Sequence, residues 1–171
     1  MTSREQHALE FAKHWHDSIG QVRKYSGKPY WHHCVAVAEI VKSVPHTADM
    51  VDASLLHDVL EDTPCKEDTL CMQFGIDVFD LVKWLTNVSK PSDGNREKRK
   101  AIDRAHIALA PRKAKTVKLA DLIDNSRDII LYDPEFARVF LKETRQLLDE
   151  SLIGGDFYLW AMADEIVRTN L

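Results

Sequence analysis

His57 and Asp58 are adjacent, and Glu61 and Asp62 follow four residues after each, in the run HDVLED. On a helix, side chains four apart share a face. The spacing therefore predicts His57 beneath Glu61 and Asp58 beneath Asp62. The preceding Ala53-Ser54-Leu55-Leu56 is largely apolar, which predicts a buried helix. Burying one imidazole and three carboxylates without partners is costly, and a metal cation would offset much of that cost. A metal needs further ligands, and eight histidines are available, at 7, 14, 16, 32, 33, 46, 57 and 106. His33 lies four residues before Val37 and seven before Ile40, so it faces inward with the apolar stripe. His32 aligns with Ala36, Glu39 and Ser43 on the more polar side. His33 is thus the expected additional ligand. His7, His14, His16, His46 and His106 are expected at the surface or satisfied by hydrogen bonds. A third polar group runs through VKLADLIDNSRD, where Asp121, Asn125 and Asp128 share a helix face among apolar neighbours. Asp121, directly after Leu119-Ala120, is expected to be buried. Water is the expected neighbour of Asp124 and Asp128.

Helices must position these groups. Gly and Pro number only six each, well below average usage, which favours long helices with short connections. Apolar spacing predicts a first helix from a capping box at Ser3 and Gln6 to Gly20. Further helices are expected over 31–44 and 48–62, the latter ended by Thr63-Pro64. Two shorter ones, 67–74 and 77–87, are expected on either side of Gly75. Four more are predicted over 96–109, 112–131, 134–149 and 156–169. Pro134 behind Asp133 fits a first-turn proline after an N-cap. The stretches 23–30 and 89–95 read as loops, and no segment alternates as a strand would. The fold class is therefore all-α.

Composition bounds the function. The chain has 171 residues, 44% of them hydrophobic and 29% charged, with a net charge of −4, so one globular domain is expected and general duplex nucleic-acid binding is disfavoured. Cys34, Cys65 and Cys71 form no C-x-x-C pair, which argues against a disulfide framework or zinc ribbon. Charge interrupts the N-terminus where a signal peptide would be apolar, and no run approaches a membrane span. A cytoplasmic protein without a membrane partner is expected. Arg96–Lys100 and Arg112–Lys115 are basic clusters that read as solvated helix faces, or as a rim attracting a multiply anionic ligand.

In order along the chain, RKYSGKPYWHH, LLHDVLEDT and VKLADLIDN resemble the hydrolase domain of RelA/SpoT-type alarmone enzymes, within the HD-domain phosphohydrolases. With no synthetase or regulatory region in view, the chain is similar to a stand-alone small alarmone hydrolase. The resemblance implies a compact single-domain fold over residues 1–171, with roughly eight helices around a central metal-binding cleft. It implies that His33, His57, Asp58 and Asp121 hold one divalent ion, in that family usually Mn²⁺. Glu61 and Asp62 match the catalytic acidic pair. Arg23, Lys24 and Ser26 match the basic loop that holds substrate phosphates and base, and Asn125 a residue that contacts the nucleoside. Lys118 and Arg127 flank that helix. The implied reaction, one of the stringent response, hydrolyses guanosine 3′,5′-bis(diphosphate) or its triphosphate analogue at the 3′ position, releasing pyrophosphate and GDP or GTP. Three departures stand out: His32 where many relatives have Asn, Cys34 where many have Pro, and an inserted Tyr25. Two other readings use the same residues. One is an HD phosphohydrolase for another nucleotide, such as NADPH, a nucleoside monophosphate or an adenine alarmone. The other is a non-catalytic, metal-stabilised nucleotide-binding module.

Overall fold

The computed structural model describes residues 1–171. Its helices are α1 (Ser3–Ser18), α2 (Trp31–Lys42), α3 (Ala48–Leu56), α4 (Val59–Asp62), α5 (Glu67–Leu85), α6 (Arg96–Ala108), α7 (Arg112–Tyr132), α8 (Pro134–Glu150) and α9 (Phe157–Asn170). A single 3₁₀ turn, Pro91–Asp93, lies in the loop before α6. The all-α expectation holds, and no helix is long and apolar enough to cross a membrane.

The chain divides into two compact units, Met1–Thr86 and Asn87–Leu171. In the first, α3 is the central element. Every residue from Met50 to Leu56 is buried, and α1, α2 and α5 pack around it. Asp52 is a carboxylate in that helix with 1% of its surface exposed; Arg4 on α1 reaches it and Asp49 together. This pairing ties α1 to α3 and compensates a buried charge that would otherwise be costly. In the second unit α7 carries more buried residues than any other helix, with α8 and α9 packed on it and on each other.

Helix starts follow local chemistry. Thr47 caps α3, Asn95 caps α6 and Asp133 caps α8 ahead of Pro134, each side-chain oxygen accepting a backbone N–H of the first turn. Asp156 accepts from both Tyr158 and Leu159 at the start of α9. At α1 the cap is Thr2, whose Oγ1 accepts the Glu5 N–H at 3.2 Å, not the expected Ser3, which is already helical. Gly75 divides α5 as its φ of 79° and ψ of 171° require; that region is open essentially to glycine alone.

One sequence expectation is corrected at His57-Asp58. The helix expected over 48–62 is broken at His57-Asp58 into α3 and α4. The His57 ring takes the Ser54 carbonyl at 2.8 Å, the acceptor that a regular helix reserves for the Asp58 N–H. Asp58 flattens to ψ −3°. The ladder then resumes, with the Asp62 N–H donating to the Asp58 carbonyl at 2.9 Å.

Candidate metal centre and active site

His33, His57 and Asp58 converge in the first unit, one ligand atom from each lying within 4.8 Å of the others. His33 is supplied by the first turn of α2 and is 1% exposed; His57 is 2% exposed at the α3–α4 break. The Asp58 Oδ2 lies 3.0 Å from His57 Nε2 and 3.8 Å from His33 Nε2. Two donors about 2.1 Å from one octahedral cation lie roughly 3–4.2 Å apart, so both distances suit a shared ion.

The donor chemistry points the same way. A carbonyl only accepts, so the contact with Ser54 requires His57 to carry its proton on Nδ1. In the neutral ring Nε2 then presents its lone pair towards the Asp58 carboxylate. Two electron-rich groups at that distance need a cation between them, either a proton or a metal. A hydrogen bond from the remote ring nitrogen to a backbone carbonyl is also how metal-ligating histidines are oriented. The residues present therefore fit a divalent cation.

Tyr30 completes the surroundings of Asp58. Its hydroxyl donates to Asp58 Oδ2 at 2.6 Å, and its ring lies between those of His16 and His33, with centroids at 4.9 and 5.5 Å. Burial and the neighbouring carboxylates push the phenol far above its ordinary range, so it stays a donor. From the sequence Tyr30 is only the last residue of the 23–30 loop. The Pro29-Tyr30 pair just before an inward-facing histidine was the available signal.

The loop over 23–30 is tied internally. The Arg23 N–H donates to Lys28 O at 2.8 Å, the Gly27 N–H to Arg23 O at 3.0 Å, and the Tyr30 N–H to Gln21 O at 3.1 Å. Gly27 permits the turn with φ 66°. Lys24 and Ser26 are exposed and Arg23 is half-buried. The Lys24 ammonium lies over the Tyr25 ring, 4.7 Å from its centroid. This basic loop is thus continuous, through Tyr30, with the histidine–aspartate cluster.

Glu61 and Asp62 stand on the short α4. Asp62 Oδ2 accepts from Gln21 Nε2 at 2.7 Å. Burial of its carboxyl, then the nearby Asp58 charge, pushes Asp62 up to about 6. His16 is not a surface histidine. It is fully buried and hydrogen-bonded through Nδ1 to Gln21 Oε1 at 2.6 Å, and burial holds it below the ordinary imidazole range. His32 is exposed and stacks on Trp31 with centroids 3.9 Å apart.

Asp121 and Asn125 belong to the second unit. Asp121 is 5% exposed on α7. Lys118 Nζ donates to its Oδ2 at 2.8 Å and Asn125 Nδ2 to its Oδ1 at 2.6 Å. Asn125 is therefore first of all a hydrogen-bond partner of Asp121. The expectation that Asp124 faces water is corrected: it is 9% exposed, because the buried face of α7 is broad enough to include it.

A family model described as "HD domain" matches residues 8–147. An Arabidopsis thaliana chloroplast protein, described as probable GTP diphosphokinase RSH3, is 33% identical over 133 residues, which are 75% of this chain and 18% of that protein. A Haemophilus influenzae guanosine-3′,5′-bis(diphosphate) 3′-pyrophosphohydrolase is 34% identical over 131 residues, 75% of this chain and 19% of its own. The chain spans about a fifth of the length of such curated relatives. Among solved structures, one described as a metazoan ortholog of SpoT that hydrolyzes ppGpp superposes with a TM-score of 0.86 at 29% identity, covering 99% of this chain and 96% of that one. A Listeria monocytogenes EGD-e protein shares the fold at a TM-score of 0.69 and 22% identity, over 85% and 98% of the two chains.

Proposed function

This chain belongs to the HD-domain family, and from that premise we propose that it hydrolyses guanosine 3′,5′-bis(diphosphate) and its triphosphate analogue at the 3′ position, releasing pyrophosphate and GDP or GTP. The observation that carries this reading is the likeness, along almost the whole of both chains, to the structure of a ppGpp-hydrolysing protein. The His33–His57–Asp58 cluster supports it. We read residues 1–171 as one hydrolase domain, since the family model runs through both units. The proposed setting is the cytoplasm.

His33, His57 and Asp58 would hold one divalent cation, with Asp121 as the proposed fourth ligand. Burial supports Asp121 in that role, as does its position in VKLAD. A mixed imidazole and carboxylate set suits Mn²⁺. A cation bound there supplies Lewis acidity and activates a water near neutral pH. Tyr30 orients Asp58 through its hydroxyl, and Ser54 orients His57. Glu61 and Asp62 are proposed to move the protons, one taking a proton from the attacking water and the other giving one to the leaving oxygen. Arg23, Lys24 and Ser26 are proposed to hold the phosphates and base, and Asn125 to serve both Asp121 and the nucleoside.

The test is incubation of purified protein with Mn²⁺ and each of guanosine tetraphosphate, NADPH, nucleoside monophosphates and adenine alarmones, followed by product identification. GDP plus pyrophosphate from guanosine tetraphosphate is the expected result. Turnover confined to another nucleotide, or binding without turnover, overturns the proposal.

A further inference from the structure

Gln21 follows α1 and reaches two groups at once. Its Nε2 donates to Asp62 Oδ2 at 2.7 Å, and its Oε1 lies 2.6 Å from His16 Nδ1. The proton directions follow from the acceptor. An ionised carboxylate only accepts, so Gln21 must turn its NH₂ to Asp62. The amide oxygen then faces His16, which must carry its proton on Nδ1. His16 is fully buried against Tyr30 and Cys34, so the ring has little freedom to turn. The backbone of Gln21 is pinned as well. Its N–H donates to His16 O at 3.0 Å, and its carbonyl accepts the Tyr30 N–H at 3.1 Å.

Asp62 needs such a hold. It ends α4, a helix of four residues, and the next residue, Thr63, is already extended. A single short turn does little to fix a side chain. Resting on the reading that Asp62 serves the hydrolytic step, we infer that Gln21 is a positioning residue, clamped by buried His16, that fixes the direction of the Asp62 carboxylate. The same residue holds Tyr30 by its backbone, so the groups beside Asp58 and Asp62 share one anchor.

The variant that isolates this role is Gln21→Met, which keeps length and volume and removes both side-chain hydrogen bonds. Its kcat should fall roughly 10–100-fold, the scale of a misplacement of about 1 Å, while KM for guanosine tetraphosphate stays within about twofold. In an Asp62→Asn background the same change should cost less than about twofold, because the group being positioned is already disabled. A merely structural role would shift KM or act equally in both backgrounds, and either of these overturns the inference. A second measurement does not depend on turnover. Nitrogen-15 NMR of the imidazoles at about pH 8 should show His16 wholly as the Nδ1–H tautomer in the unaltered chain and as a mixture in Gln21→Met. The Gln21 side-chain amide signal should move in Asp62→Ala. An Nε2–H tautomer for His16, or an amide signal indifferent to Asp62, overturns the inference. If the unaltered chain hydrolyses no alarmone, the proposed function fails and the NMR result alone decides whether the clamp exists.

Discussion

Asp62 is the residue whose environment and proposed task meet most directly. Its carboxyl is raised by burial and by Asp58, so the metal-free native state holds that proton more tightly than the unfolded chain does. The associated stability is fully present below the ordinary carboxyl value near 4 and is lost as pH rises through about 6. Asp62→Asn should therefore stabilise the metal-free protein relative to wild type above about pH 6, and give no gain below about pH 4. Urea titrations across that range measure it. Asp62 is nevertheless an exposed residue, so solvent screening makes the effect much smaller than a buried carboxyl would give. For turnover, Glu61→Gln and Asp62→Asn should each retain metal and bind nucleotide, yet lose about 10²–10⁴-fold in kcat. Metal loss in either would make that residue a ligand; near-normal kcat in both would relieve the pair of any role. Arg23→Ala should raise KM for guanosine tetraphosphate and leave binding of a phosphate-free analogue nearly unchanged. Equal weakening of both would make the loop structural. The inward aim of His33 was legible because the 3.6-residue period of α2 is a local property. Tyr30 and Gln21 were not, because their roles arise from contacts with Asp58 and Asp62, 28 and 41 residues away.

Elements show the same divide between local and distant causes. Helices α6 to α9 lie within a residue or two of where apolar spacing places them, and the Asp133 cap read from the sequence holds at the start of α8. The break at His57-Asp58 was hidden. No proline or glycine marks it; what accompanies it is a ring nitrogen seated on a backbone carbonyl. The break coincides with the place where His57 and Asp58 meet His33. Gly75 is the opposite case, a break announced by its residue type. A Cβ there would meet nothing within 4 Å, so the cost of Gly75→Ala is purely one of backbone conformation. It should be about 1–3 kcal/mol, read as a lower urea midpoint with unchanged slope. An unaltered midpoint would mean that the residue relaxes out of its positive φ.

For the whole molecule, the balance of charge and metal sets how stability responds to solution. The net charge is −4, while the proposed substrate is itself a polyanion. Productive encounter then depends on local positive charge: the loop basic residues and the cation. That cation also acts on folding. An ion that binds the native state and not the unfolded chain stabilises by the logarithm of its saturation, about 2.7 kcal/mol at one hundred times Kd. For a chain of this size each kcal/mol raises Tm by about 2–4 °C. Mn²⁺ at that excess should raise Tm by roughly 5–11 °C, and a chelator should reverse the rise. His33→Ala, which removes a member of the cluster, should abolish most of the shift. Asp121→Ala is the more informative variant, because Asp121 lies in the second unit and its place among the ligands is proposed from motif and burial. If it is a ligand, the Mn²⁺-dependent shift shrinks at fixed metal concentration, and metal content and turnover fall together. A tenfold weaker Kd removes about 1.4 kcal/mol of the effect. A full shift with normal metal content in Asp121→Ala would leave the ion to His33, His57 and Asp58. Asp121 would then be only the partner of Lys118 and Asn125 on α7.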